Sequence, residues 1–278
     1  MSNTPSALAP ARALAPAQRA GKLVERLRRI SLVSWALPAA LLIVWQASSS
    51  FGLLANNILP SPAAVAVAGW KLTLSGALAQ NVWISFLRAM AGLIVGGGIG
   101  FAFGFANGLS DLSERLTDTT LQMARNIPHL ALIPLVILWF GIDEGAKLFL
   151  VALGVFFPIY INTLHGIRNV DPQLVEMGRS YGLTPRDLLT RVIFPGALPS
   201  ILVGLRYALG IMWLTLIVAE TIAAQSGIGY MAMQAREFLQ TDVVIFSILV
   251  YAALGKLADS TARFIEKTTL SWHPAFQR

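Results

Sequence analysis

Charged side chains interrupt the long apolar stretches of this sequence at six positions: Arg88, Arg125, Arg206, Glu220, Lys256 and Asp259. A charge at the centre of a bilayer costs at least about 2.5–3.5 kcal/mol on insertion scales, so such residues usually face protein or water. Lys256 and Asp259 are three residues apart and can pair on one helix face, whereas Arg206 can extend towards the membrane surface. Arg88 and Glu220 are the candidates for a polar path through the membrane, unless each only anchors its helix at the interface.

Residue types that support catalysis are sparse. The sequence has no G-x-x-x-x-G-K-[ST] loop, so it lacks that cradle for ATP phosphates. Its three histidines (His129, His165 and His273) have no metal-ligand spacing, and cysteine is absent. We therefore expect no catalytic residue, no metal site and no cofactor bound by this chain, and the chain by itself is not expected to be an enzyme.

Composition indicates an integral membrane protein. Of the 278 residues, 55% are hydrophobic and only 13% are charged, and the mean hydropathy is +0.65. Soluble domains carry about 25% charged residues. The net charge of +7 does not indicate nucleic-acid binding, because the basic residues lie in short connections between apolar runs.

Six apolar runs are each long enough to cross a bilayer, which takes about 20 residues. The first is interpreted as an uncleaved span rather than a signal peptide, because its basic leader is long and no clear cleavage site follows. Arg125, Pro128 and Pro134 interrupt the third run. The runs cover approximately residues 32–49, 82–107, 117–140, 146–164, 199–223 and 243–264.

The distribution of Lys and Arg predicts the orientation of these spans. With the N-terminus in the cytoplasm, fourteen basic residues lie on the cytoplasmic side and three (Lys71, Lys147 and Arg236) on the other. Cytoplasmic loops carry the excess of positive charge, so both termini are predicted to be cytoplasmic. The predicted organisation is a disordered cytoplasmic tail (1–30), a first span with an external loop (31–80), a core of five spans (81–265) and a second cytoplasmic tail (266–278).

A stripe of glycines marks the second span. Gly92, Gly96, Gly100, Gly104 and Gly108 recur every fourth residue, which places them along one slowly drifting helix face. Small residues at this spacing allow helix backbones to approach closely in lipid. We expect the stripe to face protein, within the subunit or, less favoured, at a contact between two subunits.

The cytoplasmic connection at residues 166–198 is too polar to enter the bilayer and predicts a helical hairpin. Asp171-Pro172 is typical of a helix start, and Gly182 suits the turn that ends that helix. Thr184, with Asp187 three residues later, predicts the start of a second helix. Pro195 and Pro199 are expected to mark the return to the membrane. Such a hairpin could dock onto a partner or pack on its own bundle.

The hairpin also carries a family pattern. Glu176-Met177-Gly178, then Gly182 after three residues and Val192-Ile193-Phe194-Pro195 after nine more, resembles the EAA loop of ABC-importer permeases. In that family the loop enters a cleft on the ATPase subunit. The resemblance implies coupling roles for Glu176, Gly178, Arg179, Gly182 and Pro195. Met177 and Gly178 depart from the two alanines of the pattern, and Gly178 would weaken a helix interior by roughly 1 kcal/mol.

Three further segments narrow the resemblance to the nitrate, sulfonate and taurine group of these permeases, and most closely to aliphatic sulfonate permeases. They lie at residues 126–143, 210–221 and 235–242. The resemblance implies an all-α integral membrane fold of six transmembrane helices with a MetI-like permease core and a cytoplasmic EAA-type coupling hairpin.

The implied assembly is a multi-pass protein of the bacterial inner membrane that acts as a homodimer. Its implied partners are a cytoplasmic ATPase dimer, which holds ATP and Mg²⁺, and an extracytoplasmic substrate-binding protein. Import of nitrate, taurine or bicarbonate by the same architecture stays open. An ion-coupled secondary transporter is the alternative from another class, although no internal repeat supports it.

Overall fold

The computed structural model describes residues 35–53, 55 and 58–272, and every regular element in that part of the chain is a helix. The chain divides into two compact units between Ala63 and Ala64. In the first unit, helix α1 covers residues 35–50, and the indole of Trp45 donates a hydrogen bond to the carbonyl of Pro60 at 3.1 Å. The tail predicted at residues 1–30, the start of the first predicted span and residues 273–278 lie outside the described residues.

Ten α-helices follow α1 in the part of the chain that the structure describes. A 3₁₀ turn at His129–Leu132 leads into α5, and a π turn at Leu189–Ile193 connects α8 to α9. The helices are α2 (Pro62–Leu74), α3 (Ala77–Leu109), α4 (Asp111–Arg125), α5 (Ile133–Phe140), α6 (Glu144–Arg168), α7 (Pro172–Ser180), α8 (Pro185–Leu188), α9 (Phe194–Ala223), α10 (Ile228–Glu237) and α11 (Thr241–Thr269). Sequence patterns predicted neither α2 nor α10, because both fall in stretches interpreted as external loops.

Within the described residues, four helices are long and apolar enough to cross a membrane: Ala77–Leu109, Glu144–Arg168, Pro185–Ile222 and Thr241–Thr269. A fifth crossing exists if α4 and the segment His129–Phe140 form one broken span, since they meet at a bend of 80°. The third predicted span is therefore not a straight helix. Pro128 explains the break, because proline lacks an N–H donor and restricts the residue before it to extended backbone.

Helix α6 lies at the centre of the second unit, where it packs against α3 on one side and α9 on the other. Its residues Val151 and Val155 are fully buried and belong to one hydrophobic cluster with Ala89 of α3 and Met212 of α9. Since lipid offers no hydrophobic driving force between helices, close fit of this kind is what holds the bundle together.

Pro195 and Pro199, which were expected to mark the return to the membrane, lie within one helical stretch that runs from Pro185 to Ile222. Pro195 occupies the first turn of α9, directly after the π turn, and Pro199 lies inside the helix. A proline in the first turn costs no hydrogen bond, and a π turn widens the helix just before it. The second arm of the hairpin is therefore continuous with a membrane helix.

Candidate functional site

The glycine stripe of α3 faces α6. A Cβ atom added at Gly96 would collide with the backbone of Ala152, and one at Gly100 would lie 2.5 Å from the carbonyl oxygen of Phe156. Gly92, Gly104 and Gly108 likewise face residues 151, 160–163 and 167 of α6. The stripe thus places two helix backbones in direct contact within one subunit.

The hairpin has well-defined ends. Asp171 caps α7 by accepting a hydrogen bond from the Gln173 N–H at 2.8 Å, and the Thr184 hydroxyl accepts one from the Asp187 N–H at 3.2 Å. Between the two arms, Gly182 has φ +79°, a left-handed conformation that side chains with a Cβ rarely adopt. These caps and this turn fix the angle at which α7 leaves the bundle.

Gly178 sits where the two arms of the hairpin meet. A Cβ there would approach Leu188 Cδ1 to 2.8 Å and Leu183 Cδ1 to 3.1 Å. Gly178 is buried, whereas Glu176 and Arg179 on the same helix are exposed. The glycine that departs from the family pattern therefore allows α7 to lie close on α8, which compensates for its low helix propensity.

The outer face of α7 is apolar and unpaired within the described chain. Leu174, Met177 and Tyr181 are 47%, 51% and 82% exposed, and their spacing places them along one side of the helix. Beside them, an open depression of about 730 Å³ is bordered by Glu176 and Arg179. An exposed apolar stripe next to charged side chains is typical of a protein contact surface.

Arg88 and Glu220 meet in a buried ionic network at the other end of the bundle. Arg88 NH1 donates to Glu220 Oε1 at 2.8 Å and to the Ser226 carbonyl at 2.6 Å. Its Nε and NH2 bind both carboxylate oxygens of Glu144 at 2.6 Å each. The side chains of Arg88 and Glu220 are only 6% and 0% exposed, so neither is a separate anchor at the membrane surface.

The Glu220 carboxylate is surrounded by donors from three other elements. Ser85 Oγ donates at 2.8 Å, Tyr251 OH at 2.9 Å and the Gly229 N–H at 3.0 Å. Together with Arg88, these contacts join α3, α9, α10 and α11. A buried carboxylate with this many donors is well compensated for its loss of hydration.

Sequence patterns missed five residues whose side chains belong to this network: Ser85, Glu144, Lys147, Ser226 and Tyr251. Lys147 Nζ donates to Glu144 Oε1 at 2.9 Å, three residues along α6. Two local signals were available, since Ser85 and Arg88, and likewise Glu144 and Lys147, share a helix face at i, i+3 spacing. Tyr251 gave no signal of its own.

Arg206, Lys256 and Asp259, three further charges in the spans, also form ion pairs. Asp259 accepts from Arg206 Nε at 2.8 Å and from Arg263 Nε at 3.0 Å, and Lys256 lies 3.7 Å away. Arg206 thus points to a carboxylate of α11 rather than extending alone to the membrane surface. No cluster of three or more His, Asp or Glu residues that could hold a metal occurs among the residues described.

Residues 92–270 match the sequence profile of a family described as the inner membrane component of binding-protein-dependent transport systems. The chain belongs to this family. It is therefore a membrane permease, a component of a transport system and not itself a catalytic enzyme. The matched region begins at the first glycine of the stripe and includes the hairpin and Glu220, whereas Ser85 and Arg88 lie outside it.

The permease is similar to named relatives over most of its length. It is 61% identical to the aliphatic sulfonates transport permease protein SsuC of Escherichia coli K12, covering 89% of this chain and 94% of that one. The SsuC protein of Bacillus subtilis 168 is 44% identical, with 87% of each chain covered. The taurine transport system permease protein TauC of Escherichia coli K12 is 36% identical, with 86% and 89% covered.

Solved structures share the fold of the permease at low sequence identity. An amino acid ABC transporter has a TM-score of 0.53 at 16% identity, covering 69% of this chain and 96% of that chain. An inward-facing MetNI methionine ABC transporter has a TM-score of 0.51, also at 16% identity, with 69% and 98% covered. The core of the permease therefore has the fold of ABC-transporter membrane subunits.

Proposed function

We propose that this permease is the membrane-spanning subunit of an ABC importer that takes up aliphatic sulfonates. The observation that carries the proposal is the 61% identity, over 89% of the chain, to a permease named for these substrates. The taurine permease among the relatives fits the same chemistry, because taurine is itself a sulfonate. Membership in a binding-protein-dependent family disfavours an ion-coupled secondary transporter.

Uptake by intact cells tests the substrate. A strain that lacks the permease gene is complemented with the wild-type chain and supplied with labelled ethanesulfonate, taurine, nitrate or bicarbonate. We expect complementation to restore ethanesulfonate uptake, and an empty vector provides the control. Restored uptake of nitrate or bicarbonate without any sulfonate would assign the permease to another branch of the family.

The proposed topology has six spans with both termini in the cytoplasm. If the broken pair counts as one crossing, the described chain has five candidate spans and α1 would be the sixth. The excess of Lys and Arg on one side supports the orientation. One permease subunit supplies half of a symmetric pathway, so the working form would be a homodimer. A substrate-binding protein would deliver the anion on the outer side.

The proposed docking element for the ATPase subunit is the hairpin from Glu176 to Pro195. Its support is the family pattern together with the exposed face formed by Leu174, Met177 and Tyr181. The chain has no phosphate-binding loop of its own, so ATP and Mg²⁺ would bind to that partner. Because the second arm continues into α9, movement of the docked hairpin would be transmitted directly to a membrane helix.

Two substitutions test the docking role. Gly182→Val forces a β-branched residue into left-handed backbone, and Glu176→Lys reverses an exposed charge on α7. We expect both variants to insert normally but to lose most of the ATPase that co-purifies with the wild type in detergent. Glu237→Lys, an exposed reversal at the end of α10, is the matched control. If both hairpin variants co-purified with as much ATPase as the wild type, the hairpin would be only a connector and the docking proposal would be wrong.

A further inference from the structure

Two buried cations hold a carboxylate that is itself half exposed. The guanidinium of Arg88 donates hydrogen bonds to both carboxylate oxygens of Glu144 at 2.6 Å, and Lys147 donates a third at 2.9 Å. The side chains of Arg88 and Lys147 are 6% and 3% exposed, whereas that of Glu144 is 53% exposed. We name these three residues the Glu144 cradle. In the cradle the donors face the protein and the acceptor faces solvent.

The position of Arg88 does not depend on Glu144. Its NH1 is fixed by Glu220 and by the Ser226 carbonyl, and its NH2 also donates to Ser226 Oγ at 2.9 Å. The side-chain hydrogen bonds of Glu144, by contrast, go to the two cations of the cradle. Rotation of the Glu144 side chain into solvent would therefore leave a fixed, forked cation behind.

Charge selects what can take the place of Glu144. Arg88 and Lys147 face two carboxylates, Glu144 and Glu220, so the network is formally neutral. A neutral solute in place of Glu144 would leave one buried positive charge uncompensated, which is strongly unfavourable. A monovalent oxyanion restores neutrality, and its oxygens can accept the parallel N–H bonds of the guanidinium as a carboxylate does.

We propose that the Glu144 cradle is an anion-exchange site, in which the sulfonate group of the substrate displaces the Glu144 carboxylate from Arg88 and Lys147. This inference rests on the proposed function and names the residues that contact the transported anion. Glu144 acts as an internal competitor that neutralises the two cations when no substrate is bound. Because Glu144 competes with the sulfonate, removing its charge strengthens sulfonate binding.

Calorimetric titration of ethanesulfonate into the purified permease–ATPase complex in lipid nanodiscs tests this exchange. Glu144→Gln keeps the shape of the side chain but not its charge, and we expect its Kd for ethanesulfonate to fall at least fivefold. Asp143→Asn is the matched control, because it removes the neighbouring carboxylate, which caps α6 and has no contact with Arg88. Its Kd should stay within twofold of the wild type. Ethanesulfonamide, the uncharged analogue, should gain nothing from Glu144→Gln.

Arg88→Lys tests the cation. It removes the fork and should weaken binding at least tenfold in a complex that still elutes and melts like the wild type. If that variant does not fold, the comparison of Glu144→Gln with Asp143→Asn decides alone. A folded Glu144→Gln complex that binds ethanesulfonate no more tightly than the wild type, or not at all, overturns the exchange. If the Glu144→Gln permease still restores sulfonate uptake in cells, the proposed function is retained. If the wild-type chain itself fails to restore sulfonate uptake, the proposed function is wrong.

Discussion

Replacing Gly100 with alanine tests how closely α3 and α6 pack. The new Cβ would lie 2.5 Å from the Phe156 carbonyl oxygen and 3.3 Å from its Cα, where ordinary contact begins near 3.4 Å. The overlap with the oxygen is thus about 0.9 Å, and backbone cannot rotate out of the way as a side chain can. Overpacking of this kind costs roughly 1–3 kcal/mol, and the rigid obstacle favours the upper end of that range. Alanine returns up to about 1 kcal/mol of helix propensity, so we expect a net loss near 2 kcal/mol.

Gly98 provides the matched control, because it lies on the same helix and a Cβ there meets nothing within 4 Å. Gly98→Ala should be neutral or more stable by up to about 1 kcal/mol. The assay is reversible unfolding of each purified variant in mixed detergent micelles, followed by circular dichroism at several denaturing-detergent fractions. If the two alanine variants had the same free energy of unfolding, close approach of the α3 and α6 backbones at the glycine stripe would not stabilise the bundle.

Three other outcomes follow from the same structure. Reporter fusions after residues 60, 168 and 270 should place only the first outside the cytoplasm, and an external residue 168 would contradict both the topology and the docking proposal. Tyr251→Phe removes one donor to the buried carboxylate of Glu220 and should lower the free energy of unfolding by about 1–3 kcal/mol, measured against Tyr207→Phe at an exposed site. Glu220→Gln should cost more, about 3–5 kcal/mol in the same assay, because it leaves Arg88 under-compensated.

Local patterns predicted the elements whose cause is local. Asp171 and Thr184 accept the capping hydrogen bonds that their positions suggested, and Gly182 has the left-handed backbone expected of a helix stop. The four-residue spacing of the stripe placed its glycines on one face, which needs only the geometry of a single helix. The fold class was available from composition, since an apolar chain with few charges has few alternatives to a helical bundle.

The partners of buried charges could not be predicted, because their pairing is non-local. Glu144 lies 56 residues from Arg88, and Glu220 lies 132 residues away, so no helix periodicity connects them. Arg88 and Glu220 were both recognised as costly charges in apolar runs, but Glu144 lies just before the run at residues 146–164 and was not singled out. The continuity of the helix through Pro195 could not be predicted for a related reason. Whether Pro195 ends a helix depends on the turn before it, and the π turn at Leu189–Ile193 has no simple sequence signature.

Helix α9 connects the two sites on which the proposals depend. Arg191, in the second arm of the hairpin, and Glu220 belong to the same helical stretch, about 44 Å apart at 1.5 Å per residue. A force that tilts the hairpin end must therefore move the Glu220 end, or be absorbed by bending at Pro199. At that far end, Glu220 holds Arg88, and Arg88 holds Glu144. Under the two proposals, ATP-driven movement of the hairpin would change the geometry of the cation that exchanges Glu144 for the substrate anion.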